Sequence, residues 1–202
     1  MPHLTLLAFV VIVMAAMINL VFRDWRVNAA GLGVQYLAAF VLVMLSWPIE
    51  LAIVKLITGW MATAAIAFTC LRQKSHATST EVPSNLFFRG LAGLLVVLLI
   101  FILAPALHEA VFPAVDLMII QGGLMLMGMS LMQLGMNSKP YLVIISLLSF
   151  LTGFEVIHAA LELSTLLTGL LVIVNLGLAL VGVYLMVNAD EANEATGEGE
   201  AR

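Results

Sequence analysis

An all-α, polytopic membrane protein with seven transmembrane helices is the fold class this sequence predicts, and three observations predict it. Hydrophobic residues fill 63% of its 202 positions and charged residues only 10%, whereas soluble domains hold roughly 45–50% apolar and about 25% charged residues. The mean hydropathy is +1.14, and the apolar residues fall into seven runs, each near the ~20 residues that a helix needs to cross a bilayer. Finally, the basic residues sit in or beside alternate connections between those runs, as the orientation rule for membrane helices requires.

The runs are 4–22, 28–47, 50–71, 86–104, 114–136, 141–161 and 165–187. The first has the position of a signal peptide. Its basic residues, Arg23 and Arg26, follow the apolar stretch rather than precede it, so a retained helix is expected. Arg23-Asp24-Trp25-Arg26 ends that run, and Trp47-Pro48 turns the second into the third. Residues 72–85 form the one long polar linker, separating an N-terminal three-helix half (1–71) from a C-terminal four-helix half (86–187). Pro105 to Pro113, with His108 and Glu109, reads as the loop before the fifth helix. Asn137-Ser138-Lys139-Pro140 and Glu162 to Ser164 close the remaining turns, and the acidic, Gly- and Ala-rich segment 188–202 is expected to be disordered.

Arg23, Arg26, Arg72, Lys74, Arg89 and Lys139 all lie in or beside the first, third and fifth connections, and none lies in the other three. This places the N-terminus outside and the C-terminus in the cytoplasm, with the chain in the inner (cytoplasmic) membrane. No basic patch exists to hold nucleic acid. The single cysteine, Cys70, excludes a disulfide within the chain and reads as small apolar filler. Met125, Met129, Met132 and Met136 share one face of the fifth run, and such a stripe reads as adaptable packing.

Ionisable groups at membrane depth are costly and mark a path or a partner. Glu155, His158 and Glu162 stand at i, i+3 and i+7 of the sixth run, within about a 60° arc at 100° per residue. A carboxylate, an imidazole and a second carboxylate so spaced form a candidate proton relay, with histidine suited to the middle by its ordinary pKa of about 6.5. Against this, Glu162 near the helix end reads equally as solvated, and His158 as satisfying a neighbouring carbonyl. Glu155 lies roughly 9 Å inside its helix and Lys55 roughly 7.5 Å inside the third, both from the outer face, at 1.5 Å per residue. These matching depths predict that the two pair, although a long lysine can instead snorkel to the surface. Gln121 has a similar depth; Gln35 and Asn175 lie deeper, and Gln133 and Asn19 lie nearer the cytoplasmic face. The candidate path therefore consists of Glu155, His158, Lys55, Glu162, Gln35, Gln121 and Asn175. Glu155-x-x-His158 has the spacing of di-iron carboxylate bundles, but those need the motif twice with two further carboxylates. Only His158 among the histidines lies at a depth suited to haem, so no cofactor or metal is expected.

The stretch Leu151 to Leu161, LTGFEVIHAAL, resembles the second helix of chain K of NADH-quinone oxidoreductase, whose pattern is roughly G-L-E-x-M-x-N-A. Gly153, Glu155 and Ala159 match it, and His158 stands at the family's asparagine. Gly177-Leu178-Ala179-Leu180 resembles the end of that family's third helix. VNAAGLGVQYLAAFVLVML and ELAIVKLITGWMATAAIAF are similar to the N-terminal half of hydrogenase-4 component E, in which a glutamine on one helix precedes a lysine on the next, as Gln35 precedes Lys55. The resemblance implies a membrane subunit of a complex I-like, hydrogenase-4-like or Mrp-antiporter-like assembly. Such a subunit would be at most a non-catalytic part of an oxidoreductase, with other membrane subunits and the lipid bilayer as its partners. One departure limits what it implies: chain K carries a second glutamate in its third helix, and Ile173 to Asn175 holds no acid here. Two other classes fit the residues alone, a self-contained proton-coupled transporter and a structural or assembly subunit whose charges fix helix pairing.

Overall fold

The computed structural model describes residues 2–72, 83–162 and 164–200, and nearly all of them are helical. The helices are α1 (Pro2–Val21), α2 (Trp25–Met44), α3 (Ile49–Arg72), α4 (Pro83–Ala110), α5 (Leu117–Met136), α6 (Pro140–Leu161) and α7 (Thr165–Glu200). All seven are long and apolar enough to span a membrane. An apolar medium offers backbone groups no outside partner, so each segment must satisfy its own, and helices do so.

Local chemistry sets the boundaries. Asp24 caps α2 by accepting the Arg26 backbone N–H at 2.9 Å, so this helix begins at Trp25, ahead of the expected start. It ends at Met44, which leaves Trp47 in the turn. Asp116 caps α5 in the same way through Met118 at 2.8 Å, and Pro140 opens α6 where its missing N–H costs nothing. The expected loop 105–113 is shorter than the sequence suggested, because α4 runs through Pro105 to Ala110. Proline forfeits one helix bond, but unwinding the turn in an apolar setting would orphan more backbone groups than it frees. His108 and Glu109 therefore occupy the last turn of α4. At the far end, α7 is helical to Glu200, where a disordered tail from 188 was expected; its apolar span stops at Ala189. Alanine and glutamate favour helix, and extending an existing helix avoids the nucleation cost. Of the linker 72–85, Arg72 ends α3 and 83–85 open α4; the rest, including Lys74, lies outside the described residues.

The helices pack as two adjoining groups that share a wall. One ring is α1, α2, α6 and α5, with α4 lying against α1 and α5; the other is α2, α3, α7 and α6. Each has its own apolar core. Ile12, Leu20, Leu42, Ile120, Met125, Leu126 and Met129 anchor the first, and Leu32, Ile66, Leu142, Ile145 and Leu148 anchor the second. Met125 and Met129 are fully enclosed and Met132 and Met136 rest against the same core, so the methionine stripe is packing. Both cores mix helices from before and after the linker, and α2 and α6 belong to both rings.

α5 and α6 approach through glycine. A Cβ on Gly153 would lie 2.6 Å from the Gly123 carbonyl oxygen, and one on Gly123 would lie 2.8 Å from that of Gly153. Only glycine lets two backbones meet this closely, a common device where lipid removes the hydrophobic drive for helix association. At one end of the bundle, the Arg23 guanidinium donates to the Met136 carbonyl at 3.3 Å, and Arg89 donates to the Val21 carbonyl at 3.2 Å and to the Asn137 side chain. The Tyr141 hydroxyl donates to the Arg23 carbonyl. The C-termini of α1 and α5 thus meet the N-termini of α4 and α6 there, with cations on helix C-terminal carbonyls as the helix dipole favours. Arg89, read from sequence as a loop-side charge, is buried among them.

Candidate functional site

The second ring holds a connected set of buried polar groups, and α6 organises them. Ser146, Ser149, Thr152 and Glu155 recur every third residue and all are buried. Three-residue steps fall 60° short of a full turn, so the line winds half-way round the helix over about 13.5 Å. Most hydroxyls in this bundle return to the carbonyl one turn back, as Ser146 does to Leu142 and Thr152 to Leu148, both at 2.7 Å. That is the cheapest way to satisfy a hydroxyl among apolar neighbours. Ser149 instead donates across the helix wall to Gln35 Oε1 of α2, at 2.7 Å.

One residue further along α2, the Tyr36 hydroxyl donates to Asn175 Oδ1 of α7 at 2.9 Å. Its ring reaches that far because it lies flat against Gly59 of α3, where an added Cβ would fall 2.2 Å from the ring. Thr152 stands beside the same hydroxyl. Tyr36 is thereby tied to all three other helices of its ring.

Beyond Thr152, Lys55 Nζ of α3 stands 2.8 Å from Glu155 Oε2, with the two side chains only 8% and 5% exposed. The pairing expected from matching depths is present. Its route is less direct than depth alone implied: α3 packs chiefly on α2 and α7, so the long lysine stem spans the ring to reach α6. Tyr36, Thr152, Lys55 and Glu155 line a common cavity of about 10 Å³, which is room for no more than about one water. The site therefore places a carboxylate, an ammonium and a phenolic hydroxyl around one small, largely apolar space. Those groups can exchange a proton, and each is held by a different helix.

The other path candidates separate. His158 is half-buried between two aromatic rings, stacked on Phe154 with centroids 6.1 Å apart and edge-on to Trp47 at 6.5 Å. Neither of its ring nitrogens has a hydrogen-bond partner among the described residues, so it is not bonded to Glu155 although the two share a helix face. Glu162 is exposed at the C-cap of α6, where its backbone N–H bonds the His158 carbonyl at 3.1 Å. Its side chain belongs to the helix end rather than to the buried group. Gln121 is half-buried on α5, away from the ring that holds the pair. Gln35 and Asn175 are buried, each in a bond to another helix rather than in contact with the ions.

Four residues of this site were not among the candidates: Tyr36, Ser149, Thr152 and Trp47. The Ser-x-x-Ser-x-x-Thr-x-x-Glu spacing of α6 was visible and could have found two of them. Tyr36 adjoins Gln35 but reads as an ordinary aromatic, and Trp47 reads only as a turn residue. Its indole lies beside the pair, with Lys55 Nζ 5.5 Å from the ring centroid. Comparison with protein-family models, curated proteins and solved structures finds no match to this chain.

Proposed function

We propose that the chain is an integral membrane subunit of a complex I-like, hydrogenase-4-like or Mrp-antiporter-like assembly, to which it contributes part of a proton or cation path. The observation that carries this reading is the buried Lys55–Glu155 pair. A buried ion pair adds little stability over two apolar side chains of similar size. Helix packing alone therefore does not account for placing two ions here, and ionisable groups at membrane depth are by default functional. In this reading Glu155 takes up and releases the proton, Lys55 tunes it, and Tyr36, Thr152 and Asn175 continue the polar line toward α7. Gln35 and Ser149 extend it along the α2–α6 wall. His158, which has an aromatic cage and no bonded partner, lies on the outer side of the pair.

The path is incomplete within one chain. Ile173 to Asn175 supplies no second acid, and a neighbouring membrane subunit would provide the continuation. The bias of Lys and Arg toward the end where Arg23 and Arg89 lie supports an external N-terminus and a cytoplasmic C-terminus in the inner membrane. The test compares the chain alone with the assembly purified around it in mild detergent. Reconstituted alone, the chain should leave an imposed pH gradient intact; the assembly should translocate, and Glu155→Gln should abolish translocation while Glu162→Gln leaves it unchanged. Rapid, saturable dissipation by the chain alone would replace this reading with a self-contained transporter. Normal translocation by Glu155→Gln would reject the path.

A further inference from the structure

The Lys55 ammonium has two attractive neighbours, and only one of them can lose its charge. On one side is the Glu155 carboxylate at 2.8 Å; on the other is the face of Trp47, 5.5 Å from Nζ to the ring centroid. That distance lies within the roughly 6 Å over which an aromatic face attracts a cation, and indole is the strongest of the natural faces, more so when water is excluded. Trp47 is 4% exposed and packed into the core of the first ring. Its backbone N–H bonds the Val43 carbonyl at 2.9 Å, and Pro48 follows it, so the turn holds the ring in place. Lys55 has the opposite character, a point charge on a flexible four-carbon stem.

We infer that Trp47 is a positioning residue of this site, and that its indole face is the second seat of the Lys55 ammonium, taken when Glu155 carries a proton. The step moves only a proton: an O–H bond forms on the Glu155 carboxylate and one breaks on the hydronium that delivers it. With the carboxylate neutral, the strongest attraction on Nζ is gone and the indole quadrupole remains. Lys55 then stays charged and inside the bundle rather than leaving for the surface, and it is in place when the proton departs. Among the described residues, Tyr36 of α2 shares the cavity of the pair and His158 of α6 adjoins Trp47, and neither presents an anion to the ammonium. Trp47 also touches His158, edge-on at 6.5 Å, so a cation drawn onto the indole is felt at the imidazole.

This rests on the reading of Glu155 as a proton-exchanging group, and it is tested without transport. The chain has three tryptophans; Trp25→Phe and Trp60→Phe leave Trp47 as the sole emitter in the full chain in detergent. Glu155→Gln, which imitates the protonated carboxyl, should shift the Trp47 emission maximum. The same change made on top of Lys55→Met should produce no further shift. Lys55→Met alone should move the emission, and Lys55→Arg, which keeps a cation, should restore it; this pair decides the matter if Glu155→Gln does not fold. An emission unmoved by either Lys55→Met or Glu155→Gln, or a Glu155→Gln shift that persists without Lys55, would overturn the inference. A lysine-dependent shift in a chain whose assembly translocates normally with Glu155→Gln would reject the path alone and leave Trp47 as the seat.

Discussion

Removing one member of the Lys55–Glu155 pair should cost far more than removing both. At 2.8 Å and an effective dielectric of about 20, the Coulomb attraction is about 6 kcal/mol. Desolvating the two ions cancels most of that, which is why the intact pair and an apolar pair of equal volume are close in stability. A single change removes the attraction and leaves the desolvation, at a cost of about 3–5 kcal/mol. Lys55→Met and Glu155→Gln should each destabilise by that amount, because no other ion is bonded to either group among the described residues. In the double variant neither burial cost remains, so it should lie within about 1–2 kcal/mol of the parent, a coupling of roughly 4–9 kcal/mol. The assay is reversible unfolding of all four proteins in mixed micelles, titrated with denaturing detergent and followed by circular dichroism. The double variant should recover stability but not translocation, since the ionisable carboxyl is gone. Additivity of the two single changes within about 0.5 kcal/mol would mean that the two ions do not sense each other, and would refute the pairing.

Three further outcomes follow from the packing. Gly153→Ala places a methyl 2.6 Å from the Gly123 carbonyl, so α5 and α6 must part; a loss of about 1–3 kcal/mol is expected, and unchanged thermal stability would contradict the close approach. Tyr36→Phe removes the donor to the buried Asn175 and should cost about 0.6–2 kcal/mol in unfolding, the range for interhelical bonds in membranes; it should also slow translocation by the assembly without altering its subunit composition, and full-rate translocation would take the hydroxyl off the path. Reporters fused after Arg202 and within 111–115 should give opposite compartment signals, and the same signal from both would reject an odd number of crossings.

The parts of the molecule legible in sequence were those governed by short-range rules. Seven helices long and apolar enough to span a membrane were readable because the transfer of apolar residues into lipid depends on composition over about twenty residues and hardly on tertiary context. The Lys55–Glu155 pairing was readable because depth is set by distance along a helix of fixed rise, and few charges compete at that depth. What failed depended on packing. Pro105 was read as a break, since proline ends helices in water, but in an apolar bundle an unwound turn costs more than one missing bond. The candidate relay of Glu155, His158 and Glu162 shares a helix face, yet face alone does not say what lies opposite: His158 meets Trp47 and Phe154, and Glu162 is exposed at the helix end. Tyr36 could not be found either, because its role depends on Gly59 clearing room on another helix, a relation between residues 23 positions apart in chain order.

The two ions sit on helices of unequal enclosure, which on the proposed reading suits them to different roles. Over an 18-residue stretch of each helix, 61% of the residues of α6 are buried and 33% of those of α3. Glu155 therefore projects from the helix with the largest buried share, on a short side chain that lines a cavity with residues of α2 and α3. Lys55 projects from a helix whose main neighbours are α2 and α7, so its contact with Glu155 on α6 is made by its long side chain. Any rearrangement of the pair is then made by the lysine, because moving the carboxylate would require repacking the shared wall while moving the ammonium requires only rotations of a flexible chain. On the proposed reading, a fixed acid with a mobile cation suits a proton-exchange site: the carboxyl stays in the cavity that it shares with Thr152 and Tyr36 while the lysine approaches or withdraws. The reverse placement, a lysine rooted in α6 and a glutamate on α3, would have the same net charge and the same depth but would move the proton carrier itself out of line with the hydroxyls. The order of the ions across the ring, and not their presence alone, is what supports Glu155 as the exchanging group.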